Sequence, residues 1–251
     1  MRLNSVGIVT AVLLWSAFVK ADPRTGWSFE VAPYVWTMGL QGDATVRGID
    51  VHIDKSFWDL LSNLDLAAEV HGEVWWKRRF GLLLDTTFSK STVDIDRGPA
   101  NARLPSWFLL TDAAVLTRMR ERQIQSNPDR TVWIDALVGL RHVYTKGEVD
   151  LADGMQLDRS RSLVDPILGG RIGVQASSVS LQVGGDVGGS TGGRNFTWSL
   201  AAALEYRFSH LAGVVLGYRA LSFDSEADSG LNWFRYDVTL HGFNLAINFH
   251  L

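Results

Sequence analysis

The chain has 251 residues, of which 46% are hydrophobic, and its formal net charge is −3. This composition suffices for one domain with a sizeable buried surface, and it excludes both a disordered chain and a basic nucleic-acid-binding protein. The absence of cysteine excludes disulfides, thiolate metal sites and a lipid-modified N-terminal cysteine.

The first 21 residues have the parts of a secretory signal. Arg2 is the positive charge, residues 6–19 are almost uninterruptedly apolar, and Val19-Lys20-Ala21 is a small-x-small cleavage site. The alternative is an uncleaved anchor, but the apolar stretch is shorter than the roughly 20 residues that a spanning helix needs. We therefore expect a signal peptide at 1–21 and a single domain at 22–251, which in a membrane must form a closed barrel.

Residues 27–38 begin an alternation of apolar and polar side chains that continues through most of the chain. The clearest segment is 196–208, where one face is apolar, with aromatic residues at both ends, and the other is small or polar. This pattern is typical of a strand that crosses a bilayer beside a narrow lumen. A soluble β-sandwich also alternates, but its strands usually have about 5–6 residues, whereas several segments here have 13 or more. The outward aromatic residues predict an interfacial girdle of Trp27, Trp76, Trp198, Phe208 and Phe249.

Residues 39–64 do not fit the simple alternation. Ser56 is a candidate N-cap with Asp59 at the third helical position, so the segment predicts a short helix near 56–64. We expect this helix to enter the barrel mouth as a plug, through Phe57, Trp58, Leu60 and Leu61. In the alternative, 44–54 spans the membrane and the helix lies at the periplasmic rim.

The C-terminal residues alternate up to Leu251, with Phe243, Leu245, Ile247 and Phe249 on one face. They resemble the C-terminal signal that the barrel-assembly machinery recognises, although its usual last residue is phenylalanine. The apolar positions switch from even to odd numbers near Gly242, which predicts a β-bulge within one long strand or, alternatively, a tight turn there.

Turn residues divide the chain into an even number of strands. The fold class is therefore all-β, an up-and-down antiparallel transmembrane barrel of about ten strands, with twelve or eight as alternatives. The expected spanning strands lie near 27–38, 65–78, 81–95, 105–120, 131–151, 155–176, 179–188, 195–208, 212–224 and 231–251.

Several short stretches resemble a widespread, uncharacterised family of proteobacterial outer-membrane β-barrel proteins. They are spread over nearly the whole mature chain, and the clearest are 27–36, 80–85, 164–171, 184–189 and 216–221. The resemblance implies the fold, a location in the cell outer membrane, and contact with outer-membrane lipid and with the barrel-assembly machinery during biogenesis. It implies no activity, so no catalytic residues are transferred.

The face expected to line the lumen is rich in charge. The predicted lumen charge network consists of Glu30, Glu69, His71, Glu73, Asp85, Asp135, Arg141, Arg171, Asp186, Glu205, Arg207 and Arg219. Small barrels are filled by side chains, and buried charges must be paired, so a structural ion-pair network is favoured over a solute path. The sequence indicates no catalytic residue, no metal site, no cofactor and no nucleic-acid partner.

Three functions remain open from the sequence. A structural or narrow small-solute channel barrel comes first. The spacing of Glu69, His71 and Glu73 on one strand face keeps an outer-membrane hydrolase, similar to a lipid A deacylase or a protease, as an alternative. A surface adhesin or interaction protein is the third.

Overall fold

A computed structural model of the protein describes residues 26–46, 49–62, 64–97, 100–124, 127–151, 156–189, 195–227 and 234–251. The expected signal peptide at 1–21 lies outside these residues. The elements are β1 (Trp27–Trp36), β2 (Gly39–Val46), β3 (Ile49–Lys55), α1 (Phe57–Ser62), β4 (Leu64–Trp76), β5 (Phe80–Arg97), β6 (Ala100–Ile124), β7 (Asn127–Leu151), β8 (Gln156–Ala176), β9 (Val179–Gly189), β10 (Asn195–Arg207), β11 (Ala212–Ala227) and β12 (Phe234–His250).

Ten of the strands form a closed ring. β1 pairs with β4, each later strand pairs with the next, and β12 returns to β1, always antiparallel. Closure leaves no free sheet edge in this ring, which is what a β-structure needs in order to cross a bilayer. The sequence-based fold class and the count of ten strands are therefore confirmed. Among the described residues, no helix has the length and apolar character needed to cross a membrane.

The hairpin β2–β3 is added to the ring on its extracellular side. β2 continues the line of β1 along β12 in the same register, from Glu30 opposite His250 to Val46 opposite Phe234. β3 then turns back and pairs with β2. The alternative in which 44–54 spans the membrane is therefore wrong, because these residues form the end of this hairpin.

The two ends of the barrel differ in their connections. The turns at 77–79, 177–178 and 208–211 are short, and they lie at the same end as Gly26 and Leu251, the first and last described residues. Short turns mark the periplasmic end of outer-membrane barrels, so the opposite end is extracellular. The outward face between the ends is apolar on neighbouring strands, as in the pairs Leu168–Val187 and Leu204–Leu216. The chain is thus an integral barrel of the outer-membrane type.

The interior changes from polar to apolar towards the extracellular end. On β11, Arg219 points inward, and the next inward residues, Leu221 and Phe223, are buried and apolar. On β12, Val238 and Leu240 are buried inside, whereas Leu245 is 57% exposed on the outside. The outward side chains change from apolar to polar towards the same end, because beyond the bilayer the outer face of the barrel is in contact with water.

The predicted β-bulge near Gly242 is wrong, and so is the alternative turn. β12 is one strand whose register with β11 does not shift, from Ala212 opposite Phe249 to Ala227 opposite Phe234. Even-numbered residues face inward throughout, and only the polarity of the surroundings changes. Glycine is needed at position 242 for a steric reason. A Cβ there would lie 2.0 Å from the carbonyl oxygen of Thr37, at the junction of β1 and β2.

α1 has the predicted N-terminal cap. The Ser56 hydroxyl accepts a hydrogen bond from the Asp59 amide (3.3 Å), and the Asp59 carboxylate accepts one from the Ser56 amide (3.0 Å). The Ser56 hydroxyl also donates to the Asp59 carboxylate (2.7 Å), and this bond, together with the bond from the Ser56 amide, holds the pKa of the Asp59 carboxyl below its usual value. The helix contacts β2 and β3, and Trp58 is 73% exposed, so this side chain is not in the lumen. The prediction that Trp58 plugs the lumen is therefore wrong. Phe57 is half-buried, and its ring contacts the ring of Trp58. The side chains of Leu60 and Leu61 lie outside the described part.

Candidate functional site

The lumen holds a cavity of about 670 Å³. It reaches from the periplasmic ends of the strands, where Ser28, Arg78 and His250 line it, up to Arg219 and Asp186. Charged side chains from most of the ring's strands project into it, because each strand turns every second residue inward. This cavity is the candidate site, and the side chains that line it determine its possible chemistry.

The first cluster of charges is centred on Arg171 of β8. Its guanidinium donates to the Glu73 carboxylate (Nη2 to Oε2, 2.8 Å) and to the Asp135 carboxylate (Nε to Oδ2, 3.1 Å). Arg118 donates to the other oxygen of Asp135 at 2.8 Å. Trp75 lies under the guanidinium groups of both Arg118 and Arg171, and its indole N–H donates to Glu73.

The second cluster is centred on Arg219 and Arg141. Arg219 donates to Asp85 (2.9 Å) and to Asp112 (2.7 Å). Arg141 donates to the other Asp112 oxygen (2.8 Å) and lies 3.0 Å from Asp186. Asp186 also accepts the hydroxyl of Ser199. The fork of each arginine thus joins carboxylates of two different strands and directs separate N–H groups to each of them.

His71 joins the two clusters. Its Nδ1 lies 2.9 Å from the Asp85 carboxylate and its Nε2 lies 3.1 Å from Glu73. A carboxylate accepts but does not donate, so both contacts are hydrogen bonds only when both ring nitrogens carry protons. A doubly protonated ring also places a positive charge between these two carboxylates. We call this set the ion-pair network: Glu73, Asp85, Asp112, Asp135, Asp186, His71, Arg118, Arg141, Arg171 and Arg219.

Glu69 lies outside the two charge clusters. β1 and β4 are paired up to Pro33 opposite Val70, and beyond this point the two strands separate. The Glu69 carboxylate accepts the backbone N–H of Trp36 at 2.5 Å. It therefore satisfies an amide that the end of the strand pairing would otherwise leave without a partner.

A second polar group lies near the periplasmic mouth. Glu205 accepts from His250 (2.6 Å) and from Asn248 (3.3 Å), and Glu30 lies within 3.7 Å of the His250 ring. Arg207 is 3.7 Å from Glu205, and its side chain is one-third exposed. This group is more open than the ion-pair network, and among the described residues no ion pair joins the two, although Glu30 lies opposite Glu73 in the β1–β4 pairing.

An apolar layer lies in the lumen above the ion-pair network. It consists of Trp36, Leu110, Leu221, Phe223, Val238 and Leu240, all buried. Tyr34, Met38, Leu40, Phe108 and Val143 pack against it. The Trp36 ring also lies over the Arg219 guanidinium, 5.5 Å away, so the layer and the network are in direct contact.

The structure places all twelve residues of the predicted lumen charge network on the inner face. Eight of them lie in the ion-pair network, Glu69 caps the Trp36 amide, and Glu30, Glu205 and Arg207 lie at the mouth. Asp112, Arg118 and His250 were missed. Asp112 and Arg118 have the same parity as the inward residues Leu110, Ala114 and Leu116, so the alternation of β6 could have identified them.

The predicted girdle residues all lie on outward positions. Trp27, Trp76 and Phe208 are exposed at the periplasmic end, where the rings of Trp27, Trp76 and Phe80 form a chain of contacts. Trp198 is exposed towards the extracellular end, and Phe249 is half-buried. Among the described residues, no group of three or more histidine or carboxylate side chains has the arrangement of a metal site.

No family model matches the sequence, and no curated protein matches it. Several solved structures are similar in fold. The attachment invasion locus protein Ail of Yersinia pestis is 10% identical, with a TM-score of 0.40 over 90% of this chain and 99% of that one. The outer-membrane protease OmpT of Escherichia coli is 10% identical, with a TM-score of 0.42 over 90% and 96%. Neisserial surface protein A is 12% identical, with a TM-score of 0.30 over 90% and 96%.

Proposed function

We propose that this outer-membrane barrel does not conduct and acts as a structural scaffold for its extracellular part. The observation that carries the proposal is the apolar layer across the lumen. An ion entering it would lose its hydration without finding a polar partner, at a cost of several kcal/mol. Below it, the arginines and carboxylates of the ion-pair network bind one another, which leaves few free groups to guide a solute.

The lengths of the strands support the same proposal. β6 and β7 have 25 residues each, whereas about 9–11 residues are enough to cross the bilayer. Much of each strand therefore continues into the extracellular space. The apolar layer is the core of this extension, and it would be unnecessary in a barrel that only had to pass solutes.

The hydrolase alternative is not favoured by the lumen geometry. A general base needs a free nitrogen within reach of the proton it removes, and both nitrogens of His71 are bound to carboxylates. The surface-interaction alternative gains support from the extension, because the extended strands present a folded surface beyond the membrane. We retain it as the second candidate, to be tested by binding assays of cells that carry the protein with and without residues 93–104 and 147–159.

Planar-bilayer recording tests the scaffold proposal. The folded wild-type protein is expected to show no steady conductance. The double variant Trp36→Ala/Phe223→Ala removes two aromatic rings from the apolar layer and is expected to show conductance events. The control Trp27→Ala/Phe208→Ala removes rings of the same kind from the outer face and is expected to stay closed. A steady wild-type conductance would contradict the proposal.

A further inference from the structure

The periplasmic end of the barrel has a group of basic side chains that the lumen does not use. We call Lys77, Arg79, Arg120 and Arg122 the basic rim. All four are exposed, and none forms an ion pair within the part of the chain that the structure describes. We propose that the basic rim binds the phosphate headgroups of anionic phospholipids in the periplasmic leaflet of the membrane.

The position of the rim is the first argument. Lys77 and Arg79 belong to the turn between β4 and β5, and the backbone carbonyl of Arg79 accepts the amide of Arg118 on β6. Arg120 is paired with Ile134, whose side chain is exposed on the lipid face. Paired residues of neighbouring strands share a face, so Arg120 points towards the lipid, and Arg122 follows two residues closer to the periplasm.

The contacts of the rim with aromatic rings are the second argument. The Lys77 ammonium lies 4.7 Å from the centre of the Trp76 ring, and the Arg79 guanidinium lies 5.6 Å from the Phe80 ring. Trp76 belongs to the predicted girdle and its ring contacts that of Phe80, and girdle residues lie at the level of the headgroups. The rings therefore hold both cations at the depth where lipid phosphates are found.

The backbone of the turn is the third argument. Lys77 and Arg78 both have left-handed conformations, with φ of 52° and 55°. Turn positions with positive φ favour glycine and asparagine, because these residues adopt positive φ most easily. Lys77 thus keeps a long basic side chain at a position where the backbone favours other residues, as expected where a residue serves binding rather than folding. Arg78 does so for a different contact, its ion pair with Glu121.

The chemistry of the partner follows from the rim. Four cations that form no ion pair with the described residues, along a lipid-facing edge, fit a ligand with several negative charges held at the bilayer surface. Phosphatidylglycerol and cardiolipin headgroups carry phosphodiesters at this level, whereas the phosphate of phosphatidylcholine is balanced by its own ammonium group. A basic residue near an anionic membrane surface favours binding by about fivefold.

The test is lipid retention by the folded protein. The protein is placed in nanodiscs of phosphatidylcholine with a small fraction of phosphatidylglycerol or cardiolipin, and the lipids kept after mild delipidation are identified by native mass spectrometry. The wild type is expected to retain anionic lipid in preference to phosphatidylcholine. The variant Lys77→Gln/Arg79→Gln/Arg120→Gln/Arg122→Gln is expected to lose this preference by at least ~10-fold.

The matched control is Arg78→Gln, from the same turn. Arg78 donates to Glu121 at 2.8 Å and lines the lumen mouth, so its loss is expected to leave lipid retention unchanged. Heat-modifiable gel mobility shows whether each variant is folded. The proposal is overturned if the folded wild type shows no preference for anionic lipid, if the fourfold variant keeps the preference, or if Arg78→Gln reduces it as strongly.

Discussion

Along β12, the membrane-spanning part carries Phe243, Leu245 and Ile247 outward and Asn248 inward, whereas the extracellular part carries Val238 and Leu240 inward and Asp237 outward. Both parts have the same backbone, register and ring of strands. The first is surrounded by lipid, which demands an apolar outer face and leaves the polar groups inside. The second is surrounded by water and resembles a soluble barrel with an apolar core.

This comparison explains why the ion-pair network lies where it does. Polar side chains inside the membrane-spanning part are largely shielded from bulk water, so most of them satisfy one another. The network lies directly below the apolar layer, at the level where the interior changes polarity. The two parts therefore depend on different forces, and substitutions at equivalent inward positions should reveal this difference.

The largest effect is expected in the ion-pair network. Arg219→Met removes the only cation that joins Asp85 to Asp112 within the described chain, and leaves buried carboxylates without sufficient positive charge. Loss of one partner of a buried pair costs about 3–5 kcal/mol. We expect a decrease of this size in the free energy of unfolding, measured by urea titration of the folded protein in lipid vesicles.

Arg207→Met is the matched control for this prediction. Arg207 is also an inward arginine, but its side chain is one-third exposed and its contact with Glu205 is long, at 3.7 Å. Its loss should cost less than about 1 kcal/mol, as for exposed ion pairs. Equal losses in the two variants would show that the network contributes no more than ordinary surface pairs.

The next effect concerns the apolar layer. Leu110→Ala removes a fully buried side chain and leaves a cavity, which should cost about 3 kcal/mol. Leu216→Ala makes the same chemical change on the lipid face, where Leu216 is 54% exposed in the absence of lipid. Lipid chains fill that space, so the loss should be clearly smaller. Similar losses for both variants, measured by the same urea titration, would mean that the layer is not packed as a core.

Alternation was sufficient to predict the ten strands and the inward face, because the period of two is a property of every strand. It was misleading at Gly242, where the apolar residues of β12 change parity without any change in the backbone. A single sequence shows that the apolar positions change parity along a strand. It does not show whether the side chains have changed direction or whether the interior and exterior have changed polarity. Only the neighbours reveal this, since Leu110 and Leu221 make the surroundings of Leu240 apolar.

The helix at 57–62 shows the same limit. Its cap could be read from Ser56 and Asp59 because the contacts are local. Its position could not, because an apolar residue such as Trp58 fits a lumen, a membrane surface or a hairpin equally well in sequence. The partners of Arg219 were unpredictable for a related reason: they come from β5 and β6, more than 100 residues away along the chain.

A smaller effect is expected at the periplasmic turn of β4 and β5. Lys77→Asn/Arg78→Gly supplies residues that adopt positive φ readily, so the free energy of unfolding should rise by about 1 kcal/mol. Ser177→Gly, at the single left-handed residue of the turn between β8 and β9, should give about half this gain. Urea titration measures both. A destabilised double variant would show that the contacts of Lys77 and Arg78 outweigh the strain of their backbone.

The smallest effect is expected in the β2–β3 hairpin, which lies outside the membrane. His52 Nδ1 is 2.8 Å from the Asp43 carboxylate, and this hydrogen bond raises the pKa of His52 above its usual 6.5. Because the pKa is raised in the folded state, the contact contributes fully below pH 6.5 and is lost as the pH rises through the raised value. In an NMR titration, Asp43→Asn should return the His52 pKa towards 6.5, whereas Asp54→Asn, which removes a weaker charge interaction, should lower it less. An unchanged His52 pKa in Asp43→Asn would mean that the hairpin does not hold these strands in the described register in solution, and it would limit the ordered extension to the strands of the closed ring.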